Sequence, residues 1–96
     1  MKLLSFNIRG LGGRLKKKEI REVVRRERVD FVCIQETKKD YIEKKLVESL
    51  WGGENVDYIF AGAMGASGGL LCMWNTDIFV KESFWGEDGA LGVRGR

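Results

Sequence analysis

Apolar runs and one apolar stripe divide the first part of the chain into strand, helix and strand. Residues 2–7 and 30–36 each hold a short, almost continuous apolar run, which is typical of a buried strand. Between them, residues 15–28 carry apolar side chains at helical spacing, namely Ile20, Val23 and Val24. This order predicts a βαβ unit, whose two strands are parallel and joined by a right-handed crossover.

A second helix and several strands are predicted in the rest of the chain. The helix is expected over residues 41–51, because Asp40 and Glu43 have capping-box spacing and Gly52 follows an apolar face. The strands are predicted over residues 56–61, 70–74 and 78–84. Their short connections favour an antiparallel meander. No element is predicted for the tail, residues 85–96.

Positive charge is concentrated on the first predicted helix. The chain carries a formal charge of +3, but residues 14–28 hold eight basic side chains against three Glu. Such a patch attracts polyanions, and nucleic acid first among them. A solvated helix face remains the alternative. The arginines of the candidate nucleic-acid patch are Arg21, Arg25, Arg26 and Arg28.

The remaining composition bears on compartment and membrane. Cys33 and Cys72 lie inside apolar runs, so they are interpreted as small core residues rather than a disulfide framework or a metal pair. An intracellular location is therefore expected, and the nucleus is compatible with it. The first residues form too short an apolar run for a signal peptide, and no stretch approaches a membrane span of roughly 18 apolar residues. We expect no membrane partner.

Asn7 ends the first predicted strand and Glu36 ends the second, 29 positions later. Parallel strands bring their carboxyl ends to one sheet edge, where open α/β sheets bind ligands. An amide and a carboxylate both offer the hard oxygen atoms that suit Mg²⁺. The alternatives are a turn-forming Asn and a Glu that caps a helix or lies on the surface.

Three motifs favour a metal site at Asn7 and Glu36 over these alternatives. Residues 4–10, Leu-Ser-Phe-Asn-Ile-Arg-Gly, resemble the first motif of the endonuclease/exonuclease/phosphatase superfamily. Residues 34–38, Ile-Gln-Glu-Thr-Lys, are similar to its second motif, and residues 66–71 resemble its Ser-Gly-Gly hairpin. The stretch 7–12 further resembles the endonuclease domain of plant LINE-type (non-LTR) retrotransposon polyproteins.

The resemblance implies a fold and a set of roles. The fold is the N-terminal half of a four-layer α/β sandwich, deoxyribonuclease I-like, in the α/β (α+β) class. Glu36 would ligate Mg²⁺ or Mn²⁺, and Asn7 would help to position metal, water or phosphate in a DNA endonuclease. Lys38, Gln35 and Ser67 are candidates for contacting substrate. Their alternatives are a solvated Lys, a Gln that points away and a plain turn.

The chain also departs from the family pattern. Arg9 stands where many members have an acidic or amide residue, and the chain has no His. The family's later Asp and Asn motifs have no counterpart in it. We therefore expect residues 1–96 to be a domain truncated at its C-terminus and inactive alone. In such a fragment one sheet face would lack its partner, which predicts marginal stability or self-association through that face.

Other functions remain open. A nucleotide-binding βαβ unit would need a glycine where Leu15 stands, or a Gly-Lys-Ser/Thr sequence after Gly13, and both are missing. A non-catalytic nucleic-acid-binding fragment would use the basic helix but lacks a recognisable aromatic stacking motif. A retroelement relic without a selected function is compatible with the family resemblance.

Overall fold

The computed structural model describes residues 2–63, 68–87 and 90–96. It contains two helices and six strands in the order βαβαββββ. Their bounds are β1 Leu3–Asn7, α1 Arg14–Glu27, β2 Phe31–Gln35, α2 Lys44–Trp51, β3 Val56–Ala61, β4 Leu70–Asn75, β5 Lys81–Glu87 and β6 Ala90–Gly95.

The main sheet has four strands in the order β1-β2-β4-β3. β1 and β2 are parallel and in register from Leu3 opposite Phe31 to Asn7 opposite Gln35, which confirms the predicted βαβ unit. β4 lies antiparallel to both β2 and β3. This central strand therefore joins the βαβ unit to the second half of the chain.

Both helices pack on one face of this sheet. Alternate residues of β2 and β4 point to that face and are fully buried, as the period-2 pattern of a strand requires. They pack against the apolar stripes of the two helices. The central members of this core are Ile20, Val24, Val32, Ile34, Val47, Leu50, Leu71 and Met73. The predicted first helix is observed within one residue of its expected bounds.

The second helix begins later than predicted. It starts at Lys44 after Glu43, and no side chain caps its N-terminus, so the proposed capping box at Asp40 is wrong. The residues before it run without helical structure and place Ile42 fully in the core. Ala63 also donates a backbone hydrogen bond to Lys39 there. The burial of Ile42 and the bond from Ala63 to Lys39 therefore accompany a non-helical segment where the first turn of the helix was predicted.

The strand predicted over residues 78–84 begins at Lys81 and does not continue the main sheet. The chain turns after β4, where the backbone amides of Ile78 and Phe79 both donate to the carbonyl of Asn75. β5 then pairs with β6, a strand that was not predicted because its glycine-rich sequence lacks a clear apolar alternation.

The second sheet face is consequently less bare than expected. The β5–β6 hairpin contacts β3, with the Lys81 ammonium 3.8 Å from the Asp57 carboxylate. Trp74 is fully buried on this face, stacked on Phe31 at 5.4 Å and meeting Phe79 edge-on at 5.5 Å between ring centroids. The hairpin and Phe79 thus supply part of the cover that the sequence interpretation assigned to a missing half.

One part of this face stays open above β1 and β2. It forms a groove of about 620 Å³. Its lining is mostly apolar and consists of Leu3, Leu4, Ser5, Phe31, Cys33, Gln35, Phe79 and Val93. Leu3, at its rim, is 65% exposed. Within the described ranges, neither helix has the length and hydropathy needed to cross a membrane.

Two tryptophans offer a matched test of this packing. We expect Trp74→Ala to lower the free energy of unfolding by about 3–5 kcal/mol, because it removes a fully buried ring. Trp85 is 54% exposed, so Trp85→Ala should cost about 1 kcal/mol or less. Urea unfolding of both variants measures the difference, and equal losses would contradict the described cover of the second face.

Candidate functional site

The first two strands end at the same edge of the main sheet. Asn7 lies opposite Gln35, and the amide of Ile8 donates to the carbonyl of Gln35 at 3.2 Å. Glu36 follows directly. The structure therefore brings Asn7 and Glu36 to neighbouring strand ends, as the sequence predicted.

The loop that carries Glu36 is held from one side by the turn after β1. The amide of Gly10 donates to the Glu36 carbonyl at 2.6 Å, and the amide of Leu11 donates to the Thr37 carbonyl at 2.9 Å. Leu11 is itself fully buried, which anchors this turn in the core. The parallel pairing of β1 and β2 thus extends past the strands into both loops.

The same loop is held from the other side by the residues that enter β4. The amide of Thr37 donates to the Gly69 carbonyl at 3.3 Å, and the amide of Lys38 donates to the Gly68 carbonyl at 2.7 Å. We call these contacts and the two from Gly10 and Leu11 the backbone clamp. It fixes the position of Glu36 through main-chain atoms on both sides.

The clamped loop has an uncommon backbone. Glu36 and Lys38 adopt left-handed conformations with φ of 57° and 58°, and Arg9 in the facing turn has φ of 53°. Such conformations cost of order 1–3 kcal/mol each and persist only where surrounding contacts impose them. The backbone clamp supplies these contacts, and backbone strain of this kind is concentrated at functional sites.

Two adjacent glycines make the close approach possible. A Cβ on Gly68 would lie 3.0 Å from Cγ of Glu36, so the glutamate side chain rests directly on that glycine. A Cβ on Gly69 would overlap Oγ1 of Thr37, and Gly69 has φ of 89°. The sequence motif included both glycines and Thr37, but it did not reveal that they touch.

The Glu36 carboxylate has one cationic neighbour in the described structure. The Lys38 ammonium lies 3.7 Å away, and both side chains are partly exposed. Thr37 beside them is fully buried, and its hydroxyl oxygen has no hydrogen-bond partner among the described residues. In the loop after β1, the carbonyl of Ile8 accepts a hydrogen bond from the Lys16 ammonium of α1. The described contacts of the Glu36 carboxylate therefore include one ammonium group, that of Lys38.

The structure describes two of the three predicted substrate contacts. Gln35 is exposed and lines the open groove beside the site. Lys38 is exposed and is paired with Glu36. Ser67 lies outside the described residues.

The donor set fits a divalent cation in part. No group of three or more His, Cys, Asp or Glu side chains converges within residues 2–63, 68–87 and 90–96. A carboxylate and an amide are nevertheless hard oxygen donors, and Mg²⁺ is commonly held by one or two carboxylates together with water and substrate phosphate. Glu36 and Asn7 match that minimal arrangement.

The arginine patch lies towards the other end of the molecule. α1 begins near the site edge and runs away from it for 14 residues, about 21 Å at 1.5 Å per residue. All four arginines are exposed. Three of them line an open pocket of about 550 Å³ together with Trp51 from α2. These three are Arg21, Arg25 and Arg28. Sequence analysis missed Trp51 because it joins the pocket from another helix.

Comparison with known proteins identifies a family and several solved structures, of which two are described. The sequence profile of the Endonuclease/Exonuclease/phosphatase family matches residues 4–94. The structure is similar to the AP endonuclease LMAP from Leishmania major, with a TM-score of 0.57 and 24% identity, over 78% of this chain and 24% of that one. It is also similar to the catalytic domain of APE2 from Xenopus laevis, with a TM-score of 0.54 and 21% identity, over 88% and 26%.

These likenesses establish the deoxyribonuclease I-like fold predicted from sequence. The chain spans about a quarter of the length of either solved structure. The sequence has no significant match among curated proteins.

The backbone clamp can be tested through Gly69. We expect Gly69→Ala to destabilise the fold by more than about 2 kcal/mol, because a left-handed backbone and overlap with Thr37 act together. Gly12→Ala is the matched control, since a Cβ there would meet nothing within 4 Å. Urea unfolding compares the two, and a neutral Gly69→Ala would show that the two strands do not approach this closely.

Proposed function

Because the chain belongs to the endonuclease/exonuclease/phosphatase family, we propose that it is part of a divalent-metal-dependent phosphodiesterase of the DNA endonuclease type. The observation that carries this proposal is the placement of Glu36. Its backbone is clamped from both sides at the carboxyl edge of the parallel strands, opposite the end of β1 where Asn7 stands.

Each residue of the edge has a proposed role. Glu36 would hold Mg²⁺ or Mn²⁺ through its carboxylate, and Asn7 would offer an amide oxygen to the same ion or to its water. When bound, the ion supplies positive charge to the phosphoryl oxygens and the leaving group. Lys38 lies close enough to Glu36 to meet a phosphate there. Gln35 would contact substrate from the open groove, and Ser67 is proposed to contact it on the resemblance of its motif alone.

DNA is the proposed substrate for two reasons. The two similar solved structures are named as an AP endonuclease and the catalytic domain of APE2. The stretch from Asn7 to Gly12 also resembles the endonuclease domain of plant LINE-type retrotransposons, which suggests a retroelement origin and an intracellular, nuclear place of action. A relic of such an element without a selected function is the second candidate, and the departure at Arg9 favours it.

The proposal does not require that these 96 residues act alone. They contain no His, so the chain offers no imidazole as a general base. General acid–base catalysis typically raises the reaction rate 10²–10⁴-fold. We therefore expect the isolated chain to show no Mg²⁺-dependent nicking of plasmid DNA, and its metal binding is the property to measure.

Metal binding should depend on Glu36. We expect Glu36→Gln to weaken Mn²⁺ binding roughly tenfold or more, because it removes a charged oxygen ligand while keeping the shape of the side chain. Water-proton relaxation of a Mn²⁺ titration gives the affinity without any need for catalysis.

Glu43→Gln is the matched control for this experiment. Glu43 is exposed and precedes α2, and it makes no side-chain capping bond. Both variants lose one negative charge, so a general electrostatic effect would change both affinities equally. Equal affinities in the two variants would overturn the assignment of Glu36.

DNA binding is proposed for the arginine patch. Arg21, Arg25 and Arg28 line a pocket together with Trp51, so its lining combines basic residues with an aromatic one. Arginine recognises phosphate through its planar fork of donors, and an aromatic ring can stack on an unpaired base. The patch would therefore hold DNA at a distance from the site edge.

Salt dependence provides the test of this surface. We expect the double variant Arg25→Gln/Arg28→Gln to lower the slope of log affinity against log salt by about 2, as for two lost phosphate contacts. The control Lys44→Gln/Lys45→Gln removes the same charge from the opposite end of α2. Filter binding at several salt concentrations measures both, and identical slopes would reduce the patch to a solvated helix face.

Self-association is proposed for the open groove over β1 and β2. The groove is mostly apolar, and Leu3 at its rim is largely exposed. A second copy of the chain, or the remainder of a longer domain, would bury this surface.

A further inference from the structure

Two cysteines face each other across the centre of the main sheet. Cys33 of β2 lies directly opposite Cys72 of β4 in the antiparallel register, and their sulfur atoms are 3.4 Å apart. Both thiols are free. The sequence interpretation as separate core residues missed this pairing, because the two positions are 39 residues apart and belong to different runs.

The pair lies on the face that the helices do not cover. Cys33 alternates with Val32 and Ile34, which point into the helix-side core, and it lines the open groove. Both cysteines are only partly buried. A small reagent can therefore reach the pair through the groove without unfolding the sheet.

The backbone geometry suits a disulfide. Residues opposite each other in an antiparallel pair have Cα atoms about 4.5–5.5 Å apart, which lies within the 4.4–6.8 Å usual for disulfides. Closing the bond brings the sulfur atoms to about 2.05 Å. Side-chain rotation on fixed strands supplies most of that movement.

The two thiols also differ in acidity. A hydrogen bond from Cys72 lowers the pKa of Cys33 to about 7, whereas the same bond and burial raise the pKa of Cys72. Because the thiolate is the nucleophile and Cys33 is the cysteine that lines the groove, we expect Cys33 to react first.

We propose that Cys33 and Cys72 form a redox-active dithiol site that hydroperoxides convert to an intramolecular disulfide. The Cys33 thiolate attacks the terminal oxygen of the peroxide, which leaves Cys33 as a sulfenic acid and releases water or alcohol after protonation. The Cys72 sulfur then attacks the Cys33 sulfur, forms the S–S bond and releases water. Two thiols are oxidised and one peroxide is reduced.

The disulfide would join the strands that carry the backbone clamp. Cys33 lies three residues before Glu36, and Cys72 lies three residues after Gly69. The bond would therefore lock the β2–β4 register that places Gly68 and Gly69 against the Glu36 loop. It makes the stability of the site edge responsive to peroxide.

The test treats the whole folded chain with hydrogen peroxide. We expect a monomeric product that has lost two titratable thiols and about 2 Da of mass, with a peptide map linking Cys33 to Cys72. The urea midpoint of this product should rise above that of the reduced chain. Retention of both thiols, or products linked only between chains, would overturn the proposal.

Single variants assign the roles of the two sulfurs. In Cys72→Ala, peroxide should leave a sulfenic acid on Cys33 that dimedone traps. Iodoacetamide labelling of Cys33 at pH 7 should slow roughly tenfold, because the donor that lowers its pKa is gone. In Cys33→Ala, Cys72 should label slowly under the same conditions. Faster or equal labelling of Cys72 relative to Cys33 in the unmodified chain, or a Cys33 labelling rate that Cys72→Ala leaves unchanged, would contradict the assigned nucleophile. The unmodified chain decides the disulfide even if a variant fails to fold.

Discussion

The Glu36–Lys38 loop is held by backbone hydrogen bonds from two directions, and the rest of the site depends on this constraint. On one side lies the turn that follows β1, and on the other lies the pair of glycines that opens β4. These segments are distant in sequence and meet only because β2 runs between β1 and β4 in the sheet. Because these bonds hold the backbone of Glu36, its position does not depend on which group its carboxylate contacts.

This constraint also explains the strained backbone at the edge. Left-handed conformations at Glu36 and Lys38 are unfavourable alone, and the bonds from Gly10, Leu11 and the β4 glycines offset that cost. The fully buried core beneath β2 and β4 keeps these partners in register. The buried core under β2 and β4 therefore also keeps the Glu36–Lys38 loop in position.

Sequence reasoning placed Asn7 and Glu36 at neighbouring strand ends more accurately than it placed the second helix and the last strands. The strand ends at Asn7 and Glu36 follow from apolar runs that stop abruptly, and parallel pairing brings them together. The proposed capping box at Asp40 failed because burying Ile42 outweighs a local helix signal. The strand predicted from Ile78 begins later because the carbonyl of Asn75 accepts hydrogen bonds from Ile78 and Phe79 and closes a turn there. The local apolar content of residues 78–80 did not indicate this turn.

The local sequence pattern could not predict contacts between segments that are distant along the chain. The sequence displays Gly68 and Gly69 as turn residues, but their close approach to Glu36 and Thr37 follows from the β2–β4 pairing. Trp51 beside the arginines and Cys72 beside Cys33 are likewise products of tertiary structure. The fold also separates the two candidate functional surfaces. The candidate metal ligands lie near one end of α1, and the arginine pocket lies towards the other end.

Metal binding at the clamped Glu36 is tested most directly by mapping paramagnetic broadening in the amide NMR spectrum as Mn²⁺ is added at low concentration. We expect broadening to begin at the strand ends and the clamped loop, centred on the amides of Asn7 and of residues 35–38. Broadening that begins instead around Glu43 and Glu48, or spreads evenly over the acidic surface, would contradict a metal-binding role for the clamped Glu36.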